Sequence, residues 1–375
     1  SLLKLLNRII LFSLLIVSFS LSGQNIEELL KNENPAEGFK PFLKIGIKVD
    51  TDSFPLEGDA EIFTKNGKNA GSIQGKYTVS VSKGKISVSG RTFNSEMIKL
   101  TPKFMLIKIG QRMFRGEIEI WLRNGKLTVI NDLNIEDYVR GVINKEAIPS
   151  WPLEAKKTQA VLARTFAVYQ KMFNPRNELF DLAPSVLDQV YDGLDKEDVT
   201  SNKAVDETRG EVITKGHHPV KIYFHSTCGG MTSSSSEIWK KDEPHLKSVK
   251  CPYCKKSSLY RWKRSISSKA ISGKLNVRKV KSIKTIRSET RVESVMVDSK
   301  KIPVNKFREL VGFSVIWSND FTVKKSGSNF IFEGKGAGHG VGVCQWGMAG
   351  MAAEGKNHKE IINFYLTGIE IRKMY

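Results

Sequence analysis

One glutamate at a helix boundary, a helix carrying two cations, a histidine among alternating glycines and four scattered cysteines are the residues here that could do chemistry. Glu146 precedes Ala147-Ile148-Pro149-Ser150-Trp151-Pro152. Shielding by the indole and the prolines would desolvate the carboxyl, raise its pKa and keep it protonated, as a general acid requires. The plainer reading is an exposed glutamate at a helix end, and spacing alone favours it. Lys157, Ala160 and Arg164 fall at i, i+3 and i+7, one stripe of a helix. Two cations divided by a small residue could hold an anionic group, or could form a solvated stripe. A cation beside Glu146 would lower its pKa, so burial must win there or the cations must face the substrate.

Glycines at 336, 338, 340 and 342 do not fit the G-x-G-x-x-G dinucleotide fingerprint. They allow tight backbone turns around His339, which is then structural, metal-bound or substrate-binding. The cysteines are Cys228, Cys251, Cys254 and Cys344. An even count in an exported chain suggests two disulfides. A Cys-x-x-Cys pair with two distant cysteines equally suits a structural tetrahedral Zn2+ site, in which His225, His245 or His339 could replace one sulfur. No other cofactor is indicated. A Cys228 nucleophile is a third reading, resting on a weak signal.

The elements that must position these residues change along the chain. Residues 1–23 have Lys4 and Arg8, an uncharged apolar stretch from Ile9 to Ser22, then Gly23. That is the pattern of a secretory signal peptide, with an uncleaved anchor as the alternative and the sole route to a membrane. The expected location is the periplasm or the cell surface. Residues 24–38 read as a polar linker. From 39 to 130, short β-branched segments alternate with Gly, Asn and Lys turns, a strand-rich region. Helical periodicity begins at Asn134, and a strong Ala-rich helix follows from Pro152 to about Met172. Residues 131–375 form the remaining core, interrupted by a basic, β-rich insertion at about 259–335. The Ser run at 233–236 reads as a flexible loop. The fold class is α+β, with strand-rich N-terminal and central parts packed around the long Ala-rich helix.

The 59 Lys+Arg against 39 Asp+Glu give a formal charge of +20. Such an excess favours polyanions. Export and the lack of any zinc-finger, RNA-binding or basic-zipper motif argue against nucleic acid.

Several motifs in order give the chain a resemblance to the stage II sporulation protein D and amidase enhancer family. They are Asn134–Ile143, Lys145–Pro152, Glu154–Ala167, Asp188–Gly193, Ala204–Gly210, Tyr223–Thr232 and Gly336–Gly347. The resemblance runs from about residue 40 to the C-terminus. It implies a lytic transglycosylase that cleaves the bond between N-acetylmuramic acid and N-acetylglucosamine in peptidoglycan and leaves a 1,6-anhydro end. The family's catalytic glutamate falls on Glu146. Lys157, Gln159, Arg164, Gln189, Tyr191, His225, Ser226, His339 and Gln345 are the implied substrate-binding or supporting residues. The implied partners are glycan strands and, if the chain is instead a non-catalytic amidase enhancer, a wall amidase. A structural wall adaptor is the third alternative. The sequence departs from many relatives in having Ala-Ile before Pro149, and Cys251 and Cys254 are not general to the family.

Overall fold

The computed structural model describes residues 38–375, apart from 184–190, 192, 195 and 196. The expected signal segment and nearly all of the expected linker lie outside the described residues. None of the described helices is long and apolar enough to cross a membrane.

Alternation of apolar and polar residues builds the N-terminal part. One six-stranded sheet has the order 42–51, 126–134, 117–123, 97–102, 60–64, 69–73. The other runs 112–115, 106–109, 53–57, 76–82, 85–88, 91–93. Their buried side chains, among them Phe54, Val79, Ile107, Ile118 and Val129, form one shared core. The hairpin joining 117–123 to 126–134 turns at Asn124-Gly125, both with positive φ, as a two-residue primed turn demands.

The strand 126–134 runs straight into the first helix, α1 (Ile135–Glu146), whose N-cap Asn134 accepts from the Glu136 N–H. The other described helices are α2 (Leu153–Phe173), α3 (Val199–Glu207), α4 (Ser235–Trp239), α5 (Ser268–Leu275), α6 (Val304–Val311), α7 (Gln345–Ala353) and α8 (His358–Tyr365). The second helix is buried on most of its circumference. Ala160, Ala163 and Ala167 pack with Tyr138, Val139 and Val142 of α1. Ala155, Val161 and Leu162 face a different core, with the four cysteines, Met348 and Tyr365. Small residues let α2 sit between these layers. The first of these sheets touches this helical layer through Leu43 and Ile45 on its edge strand 42–51 and Leu133 on the adjoining strand 126–134.

Residues 259–335 contain two three-stranded sheets, 261–267/329–335/321–326 and 283–287/292–297/300–303, together with α5 and α6. They enclose a core of their own around Phe307, Phe321, Phe330 and Phe332. Strands predominate in the stretch, with the two short helices beside them. Arg291 fastens it to the rest: its guanidinium donates to Ser233 Oγ (2.9 Å), Cys228 O (3.1 Å) and Met231 O (2.6 Å). The Ser run is likewise ordered by contacts. Ser234 caps α4, Ser235 is buried and Ser233 meets Arg291.

Candidate active site

Glu146 is the last residue of α1 and is half-buried. The chain leaves the helix at Ala147, whose backbone is extended. Carbonyls in a last helical turn have no donor of their own helix. That of Glu146 is met from far along the chain, by Gln345 Nε2 at 2.7 Å. The second donor of the same amide reaches Gln159 Oε1 at 3.2 Å. Gln159 on α2 is fully buried, and its own Nε2 has no protein partner. The first residue of α7 therefore holds both the backbone that carries Glu146 and the side chain of Gln159. Trp151 and Trp346 meet edge-on at 5.6 Å, a second link between the same segments.

The closing motif also carries the histidines. Strand 343–344 pairs in parallel with 224–225, so His225 lies opposite Cys344. His225 Nδ1 lies 3.0 Å from Val341 O and must donate to it, which leaves Nε2 as an acceptor; that atom is buried without a partner. His339 Nδ1 accepts from the Val341 N–H at 3.1 Å. The two rings stand 5.6 Å apart, with Trp239 5.2 Å and Tyr223 6.0 Å from His339. Burial, then the neighbouring His339, pushes His225 down to about 3. Burial first also pushes His339 down to about 4. Both rings are neutral at pH 7. Gly338 is needed here, since a Cβ would come 2.9 Å from His225 Cβ and its φ is +100°. Ser226 closes the set: its carbonyl accepts from the Trp346 N–H at 3.0 Å and its hydroxyl lies 3.3 Å from Thr227 Oγ1.

Three expected groove residues are engaged elsewhere. Lys157 forms ion pairs with Glu154 (2.7 Å) and Glu207 (2.6 Å), so its charge is already answered. Arg164 is fully buried and grips Glu136 through Nε (3.0 Å) and Nη2 (2.7 Å), facing the interior. Tyr191 donates to Asn131 Oδ1 at 2.8 Å and leans on Gly141, where a Cβ would lie 2.6 Å from its ring. Tyr191 is thereby joined to strand 126–134. Gln189 lies outside the described residues. Sequence reasoning missed Glu136, Asn131, Arg291 and Trp239. The Glu136–Arg164 spacing across two helices leaves no local signal, and Arg291 looks like one more surface cation.

The four cysteine Sγ atoms lie within 4.8 Å of one another, and all four residues are buried. All four are free in this structure, and among the described residues no histidine joins the cluster. Cys228 and Cys254 sulfurs are 3.5 Å apart. Cys344 Sγ accepts from the Cys228 and Gly347 N–H groups, at 3.2 and 3.3 Å. Tyr365 Oη sits 3.1 Å from Cys251 Sγ. The neighbouring thiols, Cys228 foremost, hold Cys254 well below the ordinary thiol range. Burial and then the other thiols push Cys344 well above it. Four thiolates on one Zn2+ at about 2.3 Å stand roughly 3.8 Å apart in a tetrahedron, a spacing these sulfurs fit.

A family model described as stage II sporulation protein matches residues 123–214, which hold α1, α2 and α3. The protein named stage II sporulation protein D of Bacillus subtilis is 32% identical over 263 residues, covering 64% of this chain and 75% of that one. This chain belongs to the stage II sporulation protein D family. An uncharacterized protein of Brachyspira hyodysenteriae is 37% identical over 255 residues, 66% of this chain and 69% of its own. The amidase enhancer of Bacillus subtilis is 26% identical over 288 residues, 61% of this chain but 39% of the enhancer.

Proposed function

We propose that the protein is an exported lytic transglycosylase of peptidoglycan with Glu146 as its single acid/base. Glu146 protonates the oxygen leaving the muramic C1 as that bond breaks. The resulting carboxylate takes the proton of the C6 hydroxyl as O6 bonds to C1. The proton count closes, and no water or second carboxylate is needed, unlike in paired-carboxylate glycosidases. Gln345 and Gln159 supply neutral amides at the Glu146 backbone, and His225 lies on the strand that pairs with 343–344, just before Gln345. The observation that carries the reading is the hydrogen bond from Gln345 to the Glu146 carbonyl, which joins two family motifs 199 positions apart. The unpartnered Gln159 Nε2 adds a donor, and the unpartnered His225 Nε2 an acceptor, suited to acetamido and hydroxyl groups.

The four cysteines, in this proposal, hold a structural zinc that binds the 228 loop, the 251–254 turn and the start of α7 together. It would thereby fix His225 and Gln345.

The test is a digest of intact and peptide-stripped peptidoglycan by wild type and Glu146→Gln, read by mass spectrometry. Anhydro-muramic ends from wild type alone are expected. Their absence with both proteins on both substrates would sink the enzyme reading. The similarity to the amidase enhancer would then direct attention to stimulation of a wall amidase.

A further inference from the structure

Charge is distributed very unevenly over this chain. Residues 259–335 contain 18 Lys+Arg and six Asp+Glu, so this stretch supplies +12 of the formal +20. Only Arg291 and Arg308 among those cations are buried. At one end of the stretch the cations surround exposed apolar side chains. Val277 follows α5, Leu310 lies in the last turn of α6, and Phe313 comes two residues after it; they are 42%, 37% and 54% exposed. The two helix ends are neighbours: Lys274 Nζ lies 4.0 Å from where a Cβ on Gly312 would stand. Lys274, Arg278, Lys279 and Lys306 are all exposed around them. Glu309 is the acid on this edge, and it is paired with Lys306 at 2.8 Å.

Phe313 is held out rather than left loose. Arg308 bonds Ile316 O (2.9 Å), Asn319 Oδ1 (2.7 Å) and Trp317 O (2.8 Å), which fixes the loop after α6. Its guanidinium carbon stands 5.0 Å from the Phe313 ring centre. A soluble phosphate polymer would reward the lysines and gain nothing from three projecting apolar groups. An anionic bilayer rewards both, because cations meet the headgroups while apolar side chains enter the headgroup–acyl boundary. We propose that this edge of the 259–335 module docks on an anionic membrane surface.

The experiment uses the full chain with vesicles of phosphatidylcholine alone or with phosphatidylglycerol, read by sedimentation and by hydrogen exchange. Protection at 272–281 and 306–316 is expected only with phosphatidylglycerol. The triple variant Lys274→Gln/Arg278→Gln/Lys279→Gln should weaken module-dependent binding on the order of 100-fold, from a contribution of about a factor of five per cation. Leu310→Ser/Phe313→Ser should abolish the protection while leaving the melting temperature near that of wild type. Binding without protection at these segments would mean that other residues hold the vesicle and would overturn the proposal. So would no binding at all, or a Leu310/Phe313 variant that binds and is protected like wild type, which would mark a surface that reads phosphate alone.

Discussion

Replacing Arg164 by Met should unfold the protein more readily rather than merely weaken substrate binding. Arg164 makes two bonds to the Glu136 carboxylate, at 3.0 and 2.7 Å, and one to Glu211 O at 3.1 Å. Met keeps the length and apolar stem of the side chain but none of its donors. Glu136 would then be a buried carboxylate with two remaining donors, the Gly210 N–H (3.1 Å) and Tyr375 Oη (2.7 Å). Breaking a buried pair from one side costs about 3–5 kcal/mol, a large part of the ~5–15 kcal/mol that holds a typical domain. Urea unfolding at pH 7 should report a loss of that order, with Arg164→Lys recovering part of it. The acid limb of stability should also change. Burial alone would raise the Glu136 pKa, but the Arg164 charge and hydrogen bonds outweigh it and hold the carboxyl below its ordinary value of 4.5. The pair therefore stabilises the fold above about pH 4.5 and stops doing so as pH falls through the lower folded value. Without Arg164 that limb should weaken or reverse. A variant with wild-type unfolding and lost glycan binding would refute the argument and return Arg164 to the substrate.

Other perturbations test the remaining parts. Gln345→Leu should leave the Glu146 carbonyl and Gln159 without their shared donor, costing about 1–3 kcal/mol in urea unfolding and lowering turnover more than stability; unchanged turnover would separate Gln345 from the site. Zinc content measured on reduced protein should be about one per chain and fall on Cys251→Ser, and a metal-free wild type would refute the staple. Burial pushes His225 and His339 down to about 3 and about 4 in the fold, from 6.5. The unfolded chain binds more protons in that window, so stability should fall as pH drops from about 6.5 toward 4; a flat profile there, or one unmoved by His339→Gln, would contradict their burial. Gly141→Ala should destabilise, because the added Cβ meets Tyr191 at 2.6 Å and the Gly193 carbonyl at 2.9 Å.

Local pattern made the elements legible. Alternating residues announced the strands, and the 3.6-residue period with Pro152 at its start announced the helix now seen at Leu153–Phe173. Chemistry needing distant partners was less so. Lys157 and Arg164 looked like one cationic stripe, yet Glu207 and Glu136 answer them from other helices. The four cysteines could be counted but not assembled, since their clustering depends on how 228, 251–254 and 344 are brought together. In the 259–335 stretch, α6 hid behind a short period and a neighbouring strand, and its Arg308 gave no hint of burial.

The contact between Gln345 and Glu146 also sets a schedule. A chain made from its N-terminus presents α1 and α2 long before α7 arrives, 199 positions after Glu146. Contacts of that separation wait for the intervening chain to be ordered. Cys344 is likewise the last of its four to emerge. The acid of the proposed enzyme would therefore stay unassembled while the chain is being made and gain its supports only when the final segment has emerged. A chain cut short before residue 344 would carry the glutamate and the signature helix but neither the amide that holds them nor the fourth sulfur.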